Sequence, residues 1–417
     1  MLRRLTRTIF WLACAGPAAA AIAPPPPTPE DGTTFDLFVG DQFTYDSNLY
    51  RIPANFSPVV GTLTPNATRA DSVDTVSGGA TGQWLVGRQN IDLSLRADYS
   101  RFLHNTALDN TGGDGSLIWN WVVGPYFSGQ VGAEFNRALA SFAETRYLGR
   151  DLVDIKNYFG KGTFQLGPHW AIVGDARETD ISHGAAAAAY NNFKTRSGNA
   201  GLEFTTGVSD TFGVDYQYTK GLYPPNYTFD NVPYDRDFTE DTYRGTIKYA
   251  ITEKLNLDAY AGYLKHTLSA DNTLSTAVFG NFSGDVWRVT LNWLPTDKTQ
   301  LGFAGWHELH AYLANASNYF ISKGFSISPT WRPTDKIAVA FVASREDQDF
   351  VAIQSVLGLL AEPRFDRVTG EQINVFYTPR ERWTFNLFLR NERRTSTDPT
   401  FAFSDQTGNV SFTYKFW

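Results

Sequence analysis

The stretch GNVSFTYKFW, Gly408 to Trp417, ends the sequence. Val410, Phe412, Tyr414 and Phe416 are apolar or aromatic, and Ser411, Thr413 and Lys415 between them are polar. A period of two marks a β-strand with one face suited to an apolar medium and the other to water. A strand must pair with something. In a closed barrel the last strand pairs with the first and no edge remains, so this reading assigns Gly408–Trp417 a partner in the stretch Phe35 to Tyr45.

The same alternation recurs upstream. Ile91, Leu93, Leu95, Ala97 and Tyr99 alternate with Asp92, Ser94, Arg96 and Asp98, and Phe212, Val214, Tyr216 and Tyr218 with Gly213, Asp215, Gln217 and Thr219. Tyr243 to Ile251, Trp287 to Trp293 and Trp383 to Leu389 follow the pattern too. Turn-like clusters separate these segments: Gly87-Arg88-Gln89, Gly124-Pro125-Tyr126, Gly167-Pro168-His169, Val208-Ser209-Asp210, Thr252-Glu253-Lys254, Pro295 to Lys298, Pro333 to Lys336 and Pro379-Arg380-Glu381. Longer polar segments, such as Tyr50 to Thr68, Leu222 to Phe238, Ser269 to Phe279 and Asp349 to Phe365, join the other strand ends. Short turns on one side and long loops on the other are the plan of an outer-membrane barrel, with tight periplasmic turns and longer extracellular loops. Eight turns define nine hairpins, which predicts an all-β, antiparallel up-and-down barrel of about 18 strands.

Alternation alone does not say which face is inside, and a large soluble sandwich or propeller would alternate as well. Aromatic residues beside the turns, namely Trp84, Tyr126, Trp170, Phe212, Trp293, Trp331, Trp383 and Trp417, favour lipid on the apolar side, as in an interfacial girdle. Composition agrees. Of 417 residues 42% are hydrophobic and 15% aromatic, yet the mean hydropathy is -0.29, so the two characters must lie on opposite faces.

Residues 1–23 read as a secretory signal, with Arg3, Arg4 and Arg7 ahead of a short apolar run and small residues from Ala19 to Ala23. Residues 24–34 form a proline-rich periplasmic spacer, and 35–417 the barrel. The only cysteine, Cys14, falls in the signal. Without the signal's three arginines the net charge moves from -7 to -10, which argues against nucleic acid as a partner.

No motif specifies catalysis. His307-Glu308-Leu309-His310 is one residue short of the zinc-protease spacing and sits in a strand pattern, where positions three apart face opposite ways. No GxSxG is present, no metal or other cofactor is expected, and the reading is of a protein that is not an enzyme. Asn110 to Gly115 (NTGGDG) reads as a polar loop with oxygens that a calcium ion would accept. The five alanines Ala185 to Ala189 also fall in a loop and suggest no function. The informative set is charged and expected to face the lumen: Asp92, Arg96, Asp98, Glu134, Lys161, Arg177, Glu203, Asp215, Arg244, Lys248, Arg288, Arg390 and Lys415. Mixed charge in a wide aqueous lumen tunes what passes. Phe159, Phe376 and Phe388 would offer stacking surfaces there. Phe412, Tyr414, Phe416 and Trp417 form the expected signal for the barrel-assembly machinery.

Phe43-Thr44-Tyr45-Asp46-Ser47-Asn48-Leu49-Tyr50-Arg51-Ile52-Pro53 resembles a segment of the EpsL-type outer-membrane proteins found with exosortase-associated exopolysaccharide loci. Asn136-Arg137-Ala138-Leu139-Ala140-Ser141-Phe142-Ala143 is similar to a second stretch of that family. The resemblance implies a Gram-negative outer-membrane component of exopolysaccharide biosynthesis or export, with the polymer and periplasmic export components as partners beside the membrane lipid. It supplies no catalytic residues. The residue-level alternative is a general porin-like diffusion channel for small solutes.

Overall fold

The computed structural model describes residues 33–57, 67–143, 147–207, 210–224, 228–229, 232–233, 237–269, 281–311, 317–352 and 364–416. The predicted signal, most of the proline-rich spacer and Trp417 lie outside them. The strands are β1 (Thr34–Asp46), β2 (Asp71–Val86), β3 (Gln89–Phe102), β4 (Asn110–Val123), β5 (Phe127–Leu139), β6 (Leu152–Gln165), β7 (Trp170–His183), β8 (Phe193–Thr205) and β9 (Thr211–Leu222). After a two-rung hairpin of β10 (Thr228–Phe229) and β11 (Val232–Pro233), the sheet resumes with β12 (Phe238–Thr252), β13 (Leu255–Leu268), β14 (Phe282–Thr296) and β15 (Thr299–Ala311). It ends with β16 (Ser317–Thr334), β17 (Ile337–Ala352), β18 (Arg364–Arg380), β19 (Trp383–Ser396) and β20 (Phe403–Lys415).

Apart from β10 and β11, which pair only with each other, every strand pairs antiparallel with its neighbours in sequence, and β9 pairs with β12. The ring closes between β1 and β20, from Phe38 opposite Lys415 to Asp46 opposite Thr407. The result is a closed 18-stranded barrel. Closure satisfies the backbone donors and acceptors of both end strands, which is what allows a sheet to stand in hydrocarbon.

The tight turns use local chemistry. Thr252, Thr296 and Thr334 each precede an acidic residue and a lysine, and each hydroxyl accepts the backbone N–H of that lysine, Lys254 at 3.2 Å and Lys298 and Lys336 at 3.3 Å. A hydroxyl that bonds two residues on mimics a backbone turn. Gly87 and Gly124 carry φ of 59°, the left-handed conformation that glycine adopts without strain.

The two faces differ as the alternation requires. Val214 (64%), Phe325 (60%) and Val410 (57%) are widely exposed, whereas on the opposite face Gln372 (5%), Asn374 (4%) and Asp405 (1%) are enclosed by the rest of the wall. The apolar face is therefore the outside. Tyr126, Trp170, Phe212, Trp293, Trp331 and Trp383 are exposed at the short-turn end of that outer face, where a membrane interface would sit.

A second set of charges lies on the outer face, where the sequence reading placed none. Arg137 clasps Asp154 through two 2.6 Å bonds, Arg196 meets Glu178 at 2.7 Å, Lys194 meets Asp180 at 3.1 Å and Arg367 meets Asp347 at 2.7 Å. All sit in the halves of their strands nearest the long loops. A 14-residue strand is roughly 46 Å long, and at a tilt of about 40° it rises about 35 Å, more than the apolar band of about 25 Å. The surplus carries the charge. A basic side chain at the lipid midplane costs about 2–4 kcal/mol, and far less near the interface, so the collar fixes where the outer leaflet ends.

Gly262 on β13 has no room for a side chain: a Cβ there would lie 2.1 Å from the Tyr243 carbonyl oxygen of β12. Replacing Gly262 with Leu is expected to destabilise the barrel by about 1–3 kcal/mol, read as loss of the heat-modifiable, compact band on gels.

Candidate functional site: the lumen and its extracellular mouth

On each strand the inner positions follow from their exposed apolar neighbours. Arg96, Asp98, Glu134, Lys161, Arg177, Glu203, Asp215, Arg244, Lys248, Arg288, Arg390 and Lys415 all stand on the inner face, as does Asp92. Many are neutralised where they stand. Arg96 bonds Asp98 at 3.0 Å and Asp114 at 3.2 Å, Arg244 bonds Asp215 at 2.7 Å, Lys415 reaches Asp36 at 3.3 Å, and Arg390 pairs with Glu392. Arg288 holds Glu308 at 2.8 Å, and the Tyr260 hydroxyl donates to that carboxylate at 2.6 Å. Asp92 receives the side-chain amides of Gln83, Asn90 and Asn120. Arg177 lies over the Phe159 ring at 5.1 Å. Cross-strand pairs of this kind brace the wall and leave it wet, because a side chain on an inner face reaches its neighbour one strand away.

The mouth is narrowed by loops that fold inward. Tyr50 and Ile52 after β1, Ala67 before β2, Leu108 after β3, and Phe142 and Leu148 after β5 form one apolar cluster on Phe102, with Val73 against it. Tyr50 and Phe142 are 5.0 Å apart, ring centre to ring centre, and the Tyr50 hydroxyl donates to Asn105 Oδ1 at 3.0 Å. Asp71 in turn accepts the backbone N–H groups of His104 and Asn105. Burial near Asp71 pushes the Tyr50 phenol up to about 12.

Polar latches bind this cluster to the wall on the far side of the β1–β20 seam. Arg51 adopts a left-handed backbone, with φ of 52°, and thereby sets its guanidinium 3.0 Å from both Asp46 and Asp405. Asn48 donates from its side chain to the Ile52 and Ser404 carbonyls. Arg394, on the inner face of β19, donates to the Ala143 carbonyl oxygen at 2.8 Å, so the loop after β5 spans the strands between. Behind it Arg364 clamps Asp366 and lies 3.5 Å from the Phe401 ring centre and 3.9 Å from that of Phe350. Bidentate, desolvated arginine pairs of this kind are the strong ones.

An apolar outer wall with an aromatic girdle and a polar, ion-paired interior belongs in a bilayer. The chain is a barrel of the Gram-negative outer membrane. No protein-family model and no curated protein matches the sequence. Among solved structures it is similar to OccK2 (OpdF) of Pseudomonas aeruginosa in complex with glucuronate, at 10% identity and a TM-score of 0.48, covering 92% of this chain and 98% of that one. It is also similar to OpdQ of the same organism, at 8% identity and a TM-score of 0.46, with the same coverages. The alcaligin outer-membrane receptor FauA of Bordetella pertussis matches at 10% identity and a TM-score of 0.44, over 90% of this chain and 76% of that one.

Other features settle into structural roles. His307 and His310 lie on opposite faces of β15, with His310 stacked on Phe320. The loop reading of Asn110 to Gly115 is corrected: these residues begin β4, paired with β3 from Ser100 to Leu95, where glycines admit close neighbours. The alanine run forms a short 3₁₀ turn at residues 186–191 whose Ala188 is buried, anchored by the Ala185 N–H to Asp151. Phe412, Tyr414 and Phe416 stand on the outer face of the β20 end of the seam, with Phe412 against Phe385 and Trp383. Sequence reasoning passed over Tyr50, Phe142 and Arg394 as a unit, although Tyr50 and Phe142 lie within the two segments quoted for the family resemblance.

Double substitution of Arg51 and Arg394 by Ala is expected to leave the barrel folded and to make residues 47–57 sensitive to protease at least tenfold faster than in the wild type. The Tyr50 phenol has a folded pKa above its unfolded value of about 10, so its contribution to mouth packing is complete below pH 10 and is lost as pH rises toward 12. Protease sensitivity of the same loop should rise over that window, and Tyr50→Phe should abolish the rise.

Proposed function

We propose that the barrel is a diffusion channel for small polar solutes across the outer membrane, restricted at its extracellular mouth by the latched loops. The observation that carries this reading is an inner wall of charged and amide side chains running beneath loops held by the Arg51 and Arg394 contacts. Mixed charge and hydrogen-bonding groups on a pore wall replace part of a solute's hydration and set what enters. In planar bilayers the purified protein is expected to give discrete ohmic conductance steps, and the Arg51→Ala, Arg394→Ala double variant steps severalfold larger. Absence of steps from both proteins would overturn the channel.

A second reading follows the family resemblance, in which the barrel serves exopolysaccharide export beside periplasmic components. It is favoured by one arrangement: the two segments that carry the resemblance, far apart in sequence, meet at the Tyr50–Phe142 contact. Deletion of the gene should then remove surface polymer without stopping its synthesis, and unchanged surface polymer sinks this reading.

A further inference from the structure

The inner wall does not carry its charge evenly. On the inner faces of β6 to β16, six carboxylates stand with six cations, so that long arc is balanced. From β17 round the seam to β1 there are six carboxylates and four cations, and Arg51 reaches in from its loop as a fifth. The inner faces of β3 to β5 differ: they carry Asp92, Asp98, Asp114 and Glu134, and Arg96 is the one cation among the described residues there. Asp98 and Asp114 share that guanidinium, at 3.0 and 3.2 Å. Glu134 stands in register with Ser116 on one side and Asn157 on the other, both neutral. Asp92 receives the side-chain amides of Gln83 and Asn120, which orient a carboxylate without cancelling its charge. Lys161 on β6 and Arg177 on β7 mark where this acidic arc ends.

Two features turn this surplus toward the lumen. None of the four carboxylates is sealed in the wall: the Asp114 side chain is 42% exposed, and Asp92, Asp98 and Glu134 are partly exposed. The barrel is also wrapped in hydrocarbon, and a low-dielectric wall lined by one sign of charge focuses its field into the water it encloses and concentrates counterions there. Charges on the outer face do not offset it, because they pair among themselves, Arg137 with Asp154 and Arg196 with Glu178. At physiological ionic strength the field persists for about 8 Å from the wall. A surplus spread over three strands acts on every solute that passes and requires no bound ion; side-chain charge on a pore wall selects by sign in this way.

We infer that the channel is selective for cations, that its solutes are small molecules bearing ammonium or guanidinium groups, and that the β3 to β5 arc sets this preference. The inference rests on the channel reading and names the solute class for it. The test is the reversal potential of the purified full-length barrel in planar bilayers under a KCl gradient. The wild type is expected to pass potassium over chloride by a ratio of about 3 or more, and the preference should shrink as salt rises to about 1 M, where the screening length falls to about 3 Å. The Asp114→Asn, Glu134→Gln double variant keeps the hydrogen-bonding groups and removes two charges; it should lower the ratio at least twofold while the compact gel band reports folding. In liposome swelling, lysinamide should enter faster than glutamate. A conducting wild type with no preference, or with a preference for chloride, overturns the inference and leaves the channel standing. A cation preference that is unchanged in the folded, conducting double variant overturns the assignment to β3 to β5. Absence of current from the wild type rejects the channel, and the inference falls with it.

Discussion

The structure depends on the ladder between β1 and β20. In hydrocarbon an unpaired backbone N–H or C=O costs several kcal/mol, so a sheet is stable there only when it has no edge. The rungs from Phe38–Lys415 to Asp46–Thr407 remove both edges at once. Their position also matters for function. The seam brings the end of β1, with Asp46, beside Asp405 and Thr407 of β20, and that juxtaposition supplies both carboxylates that Arg51 needs.

Closure divides the side chains into two environments with different rules. Outside, apolar and aromatic residues meet lipid, and paired charges appear only where the strands rise past the apolar band. Inside, charge is kept in place by partners one strand away, such as Arg244 with Asp215 and Arg288 with Glu308. A wall of this kind holds water without leaving strong isolated charges to trap a solute.

The extracellular mouth shows how loops gain a fixed shape without secondary structure. Apolar residues from three loops share one cluster, and a handful of arginine and asparagine contacts fasten it to the wall. The Arg51 backbone, in a region that non-glycine residues rarely enter, is held by two carboxylates. Local strain of this type persists where surrounding contacts over-determine it. The mouth and the barrel are thus coupled through the seam.

The sequence by itself determined the alternation, the eight short turn clusters and therefore a barrel of about 18 strands, because period two and turn chemistry are local properties; ring closure made the number 18. The sequence also determined which side chains share the inner face, since a strand's alternation admits no other choice once the outer face is known. Alternation itself is symmetric between inside and outside; the aromatic residues beside the turns pointed to the apolar face as the outer one, and closure of the ring places it there. Tertiary structure alone brought Tyr50 to Phe142 and Arg394 to Ala143, contacts between residues 92 and 251 positions apart in the chain. It alone revealed the outward charge collar, because whether Arg137 or Arg196 meets lipid or water depends on the height and tilt of its strand, which no local pattern records.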